Sequence, residues 1–173
     1  MSVIDDALVA NAAYARNFKL GGLQMPPARK LAIVACMDAR LTVEQMLGLK
    51  TGDAHIIRNA GGIVTGDAIR SLIISHHLLG TQEFMIINHA DCGMLTFQDA
   101  DLLKRLENET GTSTVGPAVF YAFKNPEANV RQQMEKLRSH PWVPKQIAIR
   151  GFVYNEKDGK LTEVKAAARA GRS

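Results

Sequence analysis

Cysteine is scarce in this sequence: Cys36 and Cys92 are the only two thiols in 173 residues. Two thiols make no disulfide framework, and a chain of this length buries a core without such staples. A reducing cytoplasm suits that usage. Long apolar runs are missing as well. None approaches the roughly 18 residues that a membrane span needs. The opening stretch MSVIDDALVANAAYARNFKL carries two aspartates and no continuous apolar segment, so it does not read as a secretory leader. Charge of one sign is also lacking: 21 Lys and Arg against 17 Asp and Glu leave a net charge of +4. The cations are scattered, apart from a small cluster in AAARAGRS. Aromatics, at 6%, are too few to interleave with a basic stripe. Neither a nucleic-acid nor a membrane partner is therefore expected.

Hydrophobic residues at 46% and charged residues at 22% are globular proportions. Residues 3 to 19 read as a helix. GGLQMPPARK, with paired glycines and paired prolines, breaks it into an arm. Such a helix, cut off from the body, is placed to pack on a partner subunit. Strand and helix then alternate. KLAIVACMD, DAHIIRNAG, EFMIINHAD and KQIAIRGFVYN read as strands. TVEQMLGL reads as a short helix capped by Thr42, and TGDAIRSLIISHHLLG as a longer one, with Ile69, Leu72, Ile73 and His76 at steps of three and four. Residues 94 to 109 and 117 to 139 also read as helical. EKDGK is a turn, after which LTEVK pairs back. The expected fold is a single α/β domain: four parallel strands in the order 2-1-3-4, an antiparallel edge strand, and helices on both faces. The boundaries are an arm at 1 to 27, a body at 28 to 166 and a disordered tail at 167 to 173.

In an open parallel sheet, ligands sit beyond the carboxyl ends of the strands, where strand order reverses. Cys36 ends the first body strand. His89 and Cys92 follow the third, in INHADCGML. The 2-1-3-4 order makes those strands neighbours, so the three side chains converge. Two thiolates and an imidazole suit zinc, with a fourth position open. The plainer alternative is two buried thiols and a loop histidine, since H-x-x-C alone is not specific. In CMDAR, Asp38 and Arg40 follow Cys36 by two and four residues. If the strand runs on, all three point the same way. An arginine gripping both carboxylate oxygens holds the aspartate ionised and off the metal. RNAGG, ending the second strand, offers the amides of Ala60, Gly61 and Gly62 to the same region. A phosphate loop is not indicated, because neither Walker spacing nor G-x-G-x-x-G is present. A cysteine-nucleophile C-x₅-R loop starting at Cys36 would need arginine at position 42, where Thr42 stands.

CMDARL, RNAGG and HADCGM, in this order and spacing, closely resemble the β-class carbonic anhydrases, in particular their small bacterial and archaeal branch. The resemblance spans about residues 28 to 155 and extends to the N-terminal helix and arm. It implies zinc held by Cys36, His89 and Cys92. It implies a catalytic dyad of Asp38 and Arg40, with Asp38 as a conditional fourth ligand in a closed state. It places Gly61 in the glycine region where substrate lies. The activity implied is reversible hydration of carbon dioxide to bicarbonate and a proton. The assembly implied is a homodimer, or a multiple of dimers, embraced by the N-terminal helices. Hydrolysis of carbonyl sulfide or carbon disulfide fits the same motifs. A non-enzymatic zinc-structured protein fits them less well, because a structural site has no use for a held-back carboxylate. His55, His76, His77 and His140 are the other histidines available as proton shuttles, and Trp142 is expected to pack.

Overall fold

The computed structural model describes residues 2–113, 116 and 119–165. Helix α1 (Val3–Arg16) opens on a capping box: the Ser2 hydroxyl accepts from the Asp5 amide while the Asp5 carboxylate accepts from the Ser2 amide. None of its residues is buried. The sequence then alternates as expected: β1 (Leu31–Cys36), α2 (Val43–Met46), β2 (Ala54–Asn59), α3 (Gly66–His77), β3 (Glu83–His89), α4 (Asp99–Thr110), α5 (Pro126–Ser139), β4 (Ala148–Tyr154) and β5 (Leu161–Val164). The sheet order is β2-β1-β3-β4-β5, with only β4 and β5 antiparallel. That is the expected 2-1-3-4 order with its antiparallel edge.

Strand parity divides the core. Ala32, Val34, Phe84 and Ile86 face Leu72 of α3 and Val130, Met134 and Leu137 of α5. Ile33, Ala35 and Ile87 face the other way, onto Val43. Burial on both faces explains why the central strands read as unbroken apolar runs rather than alternating ones. Helix α5 sits very close to β4 at Gly151, where an added Cβ would lie 2.2 Å from Val130 Cγ1. Only glycine permits that approach.

Several expectations need correction. Residues 94 to 109 are not one helix. A single 3₁₀ turn at Gly93–Leu95 is separated from α4 by residues 96 to 98. The second long helix begins only at Pro126, capped by the Asn125 side chain. Upstream of it, Phe120, Tyr121 and Ala122 give their amides to the Asp99 carboxylate instead of to a helix. The 117 to 139 reading failed because a carboxylate 21 to 23 residues away took those donors. Thr42 makes no side-chain cap. Trp142 is 67% exposed rather than packed. The tail at 167 to 173 lies outside the described residues.

Candidate metal centre

The first body strand stops at Cys36, and the chain turns at once: the Leu41 amide bonds the Asp38 carbonyl. Cys36, Asp38 and Arg40 therefore do not share a strand face, as continued alternation would require. The turn brings Asp38 and Arg40 together instead. In the neighbouring strand His89 is the last residue of β3, and Cys92 follows in the loop. The ligand atoms of Cys36, His89 and Cys92 all lie within 4.8 Å of one another, and all three residues are buried.

The donor set fits zinc on two observations. His89 Nε2 is fully buried and has no hydrogen-bond partner among the described residues. An orphaned ring nitrogen is costly unless something else occupies its lone pair. The two sulfurs are 3.9 Å apart, close to the roughly 3.8 Å edge of a tetrahedron with zinc–sulfur bonds of about 2.3 Å. Contact with the Cys92 sulfur pulls the Cys36 thiol down to about 4 against the opposing effect of burial, with His89 and the amides of Asp38 and Gly61 adding to the pull. The same contact, together with burial, pushes Cys92 up. The contact thus favours a thiolate at one of the two sulfurs.

Around this triangle the backbone is fixed from three sides. The Gly61 amide donates to Cys36 Sγ at 3.4 Å, the type of contact that lowers a sulfur's charge density. Gly61 is oriented in turn through its carbonyl, which accepts from Asn88 Nδ2 at 2.8 Å. Asn88 belongs to a buried polar relay: Asn129 Nδ2 donates to Asn88 Oδ1, Gln133 Nε2 to Asn129 Oδ1, and the Val64 amide to Gln133 Oε1. Every link is satisfied, as a buried network must be. Arg58 donates through Nε to the Cys36 carbonyl at 3.0 Å and through Nη2 to the Asp38 carbonyl at 2.6 Å.

Arg40 grips Asp38 through both oxygens, Nε to Oδ1 at 2.9 Å and Nη2 to Oδ2 at 2.8 Å, and the Arg40 amide also reaches Oδ1. These bonds hold the Asp38 carboxyl far below the usual carboxylate range. Asp38 Oδ2 lies 3.9 Å from His89 Nε2, at the edge of the ligand triangle. The other face of Arg40 is taken by Asp91, through its carboxylate at 2.7 Å and its carbonyl at 2.8 Å. Asp91 thus anchors the arginine.

Glu156 was missed altogether, read only as part of a turn. Its side chain is 8% exposed. It accepts from the Asp91 amide, contacts His89 Nδ1, and stands 3.9 Å from Arg40 Nη2. The signal that could have found it is register. His89 pairs with Tyr154, so the second residue beyond β4 reaches the mouth of β3. The other histidines are engaged elsewhere: His55 with Ser75, His76 with the Thr81 carbonyl, His77 with the Trp142 carbonyl and His140 with the Trp142 amide.

The sequence model of the family described as carbonic anhydrase matches residues 31–161. The chain belongs to the β-carbonic anhydrase family. It is 50% identical over 166 residues to β-carbonic anhydrase 1 of Mycobacterium tuberculosis, covering 95% of this chain and 99% of that protein. The crystal structure of a carbonic anhydrase from Streptococcus mutans superposes with a TM-score of 0.90 at 41% identity, covering 95% of this chain and 99% of that one. A carbon disulfide hydrolase from an Acidianus strain is 36% identical over 159 residues, covering 79% of this chain and 78% of its own.

Proposed function

We propose that this β-carbonic anhydrase hydrates carbon dioxide reversibly to bicarbonate and a proton, with zinc held by Cys36, His89 and Cys92. The observation that carries the reading is Asp38, an ionised carboxylate at the edge of the ligand triangle that is held back from it by Arg40. A purely structural site gains nothing from such a group. When bound, zinc supplies a Lewis acid that makes water nucleophilic at neutral pH. The chain's own residues do the rest. Asp38, acceptor-only in its ionised form, takes a hydrogen bond from the attacking oxygen and so aims the remaining lone pair at the carbon. Arg40 occupies both Asp38 oxygens and keeps the carboxylate from moving in among the ligands. Asp91 and Arg58 fix the arginine and the turn that carries the dyad. The Gly61 amide, bonded to the Cys36 sulfur, holds that ligand in place, and substrate would lie beside it.

Hydrolysis of carbon disulfide is the second reading, favoured by the 36% identity to a protein of that name. The 50% identity to a carbonic anhydrase across nearly the whole chain favours carbon dioxide. Stopped-flow carbon dioxide hydration and sulfide release from carbon disulfide, measured side by side on zinc-loaded protein, decide between them. Hydration should dominate, and Cys92→Ser should lose both zinc and turnover. Zinc-loaded protein that hydrates carbon dioxide no faster than buffer, or zinc-free protein with full activity, would refute the proposal. We also propose a homodimer, or a multiple of dimers. Helix α1 leaves Val3, Ile4, Leu8 and Val9 at least 63% exposed, an apolar face that a second subunit would cover. The free buried thiols suit a reducing cytoplasm, and among the described residues no helix is long and apolar enough to cross a membrane.

A further inference from the structure

Glu156 holds three neighbours at once, and the centre has a need it can meet. A histidine that gives Nε2 to a metal must carry its proton on Nδ1, and the partner of Nδ1 sets that choice. Here Nδ1 faces the Glu156 carboxylate, while Nε2 is buried with no hydrogen-bond partner among the described residues. Both Glu156 oxygens also receive the Asp91 amide, at 3.1 and 3.3 Å. Asp91 in turn grips Arg40 by side chain and carbonyl. One carboxylate thus touches the ring of a metal ligand and the residue that anchors the dyad's arginine. No other acid contacts His89 Nδ1 among the described residues.

We propose that Glu156 is a positioning residue: it accepts the Nδ1 proton of His89, fixes the ring so that Nε2 is presented to zinc, and ties that ring to the Asp91–Arg40–Asp38 chain. This deepens the zinc reading above and rests on it. Glu156 lies outside the group of three ligand residues. Its effect passes through His89 and Asp91, so metal retention should respond before the fold does. An ionised acceptor is stronger than a neutral one. Glutamine keeps an acceptor oxygen in place, whereas leucine keeps the bulk and offers none.

The test uses Glu156→Gln and Glu156→Leu in the full, zinc-loaded protein. Zinc affinity is measured by chelator competition, and the His89 Nδ1–H proton is followed by NMR. Loss of an outer partner of a metal ligand typically costs about 10–100-fold in metal affinity, and that is the loss expected for Glu156→Leu, with its Nδ1–H signal lost to solvent exchange. Glu156→Gln should lose less, and its Nδ1–H resonance should move upfield. A role in packing alone would lower melting temperature without changing zinc exchange or that resonance. Zinc affinity within twofold of wild type in Glu156→Leu, with the signal intact, overturns the proposal. Should Glu156→Leu not fold, wild-type affinity and an unmoved resonance in Glu156→Gln overturn it equally. Because the readout is zinc exchange rather than turnover, a wild-type protein that holds zinc but does not hydrate carbon dioxide counts against the proposed activity alone.

Discussion

Gly62 is where the sheet and the centre lock together, and Gly62→Ala is the substitution whose cost can be worked out most directly. An added Cβ would stand 2.8 Å from the Ile87 carbonyl oxygen, 3.0 Å from the Cys36 amide nitrogen and 3.1 Å from the Ala35 carbonyl carbon. All three are backbone atoms of β1 and β3, the central pair of the sheet, and no rotamer change can move them. The residue also has φ +62°, which costs a residue with a Cβ roughly 1–2 kcal/mol. Overpacking a site that cannot yield adds typically about 1–3 kcal/mol, for a total of roughly 2–5 kcal/mol. Gly61→Ala is the matched control. Gly61 has φ +81°, but its Cβ would meet only side-chain atoms, Met94 Cγ at 3.0 Å, Phe123 Cε1 at 3.1 Å and Ile63 Cγ1 at 3.3 Å. Both variants share the backbone penalty, and only Gly62→Ala adds the clash with the sheet. Urea unfolding at matched protein concentration should put Gly62→Ala at least about 1 kcal/mol below Gly61→Ala with similar m-values. Zinc per chain should also fall further in Gly62→Ala, since relief of the clash must move the Cys36 backbone. Coincident unfolding midpoints for the two variants would show that β1 and β3 yield more freely than their packing indicates.

Arg40→Ala should keep zinc near wild-type content while carbon dioxide turnover falls by orders of magnitude, because Asp38 loses the guanidinium bonds to both its oxygens, keeping only the backbone amide of residue 40 on Oδ1, and can swing in to join the ligands; near-normal kcat would disprove the dyad. The Asp99 carboxyl is held below its ordinary value, chiefly by the Ala122 amide and also by those of Phe120 and Tyr121. A depressed folded value means that its stabilisation is fully present above the unfolded pKa of about 3.9 and is lost as pH falls from there through the lower folded value. Hydrogen-exchange protection of those three amides should therefore weaken on acidification, and should be weak at every pH in Asp99→Asn; protection that ignores both changes would rule out the cap. Deleting α1 should weaken subunit association without touching the core, since none of its residues is buried; light scattering showing an unchanged assembly would place the interface elsewhere.

The sheet order was legible because apolar runs of strand length alternate with helical periodicity, and handedness leaves few ways to wind them. The cluster of Cys36, His89 and Cys92 followed from that order, since each ends or follows a central strand. Asp38 and Arg40 were paired for the wrong reason. Their spacing of two suggested one face of a strand, yet β1 ends at Cys36, and the contact is made by a turn whose amide at Arg40 also bonds the carboxylate. Short spacing constrains which side chains can meet even when the local backbone is misread. Glu156 marks where that constraint runs out. It lies 67 residues from His89, in a stretch whose residue types fit any surface turn. Only the pairing of His89 with Tyr154 brings it to the centre. The same holds for Asp99 and the 120 to 122 segment, where a distant carboxylate took backbone donors that local periodicity had assigned to a helix. In both cases an acid's role depends on what it finds across a gap between elements, and residue type alone does not carry that. Hence a cluster that suits a metal can be read from motif and topology, while the carboxylate placed beside it needs the register between strands.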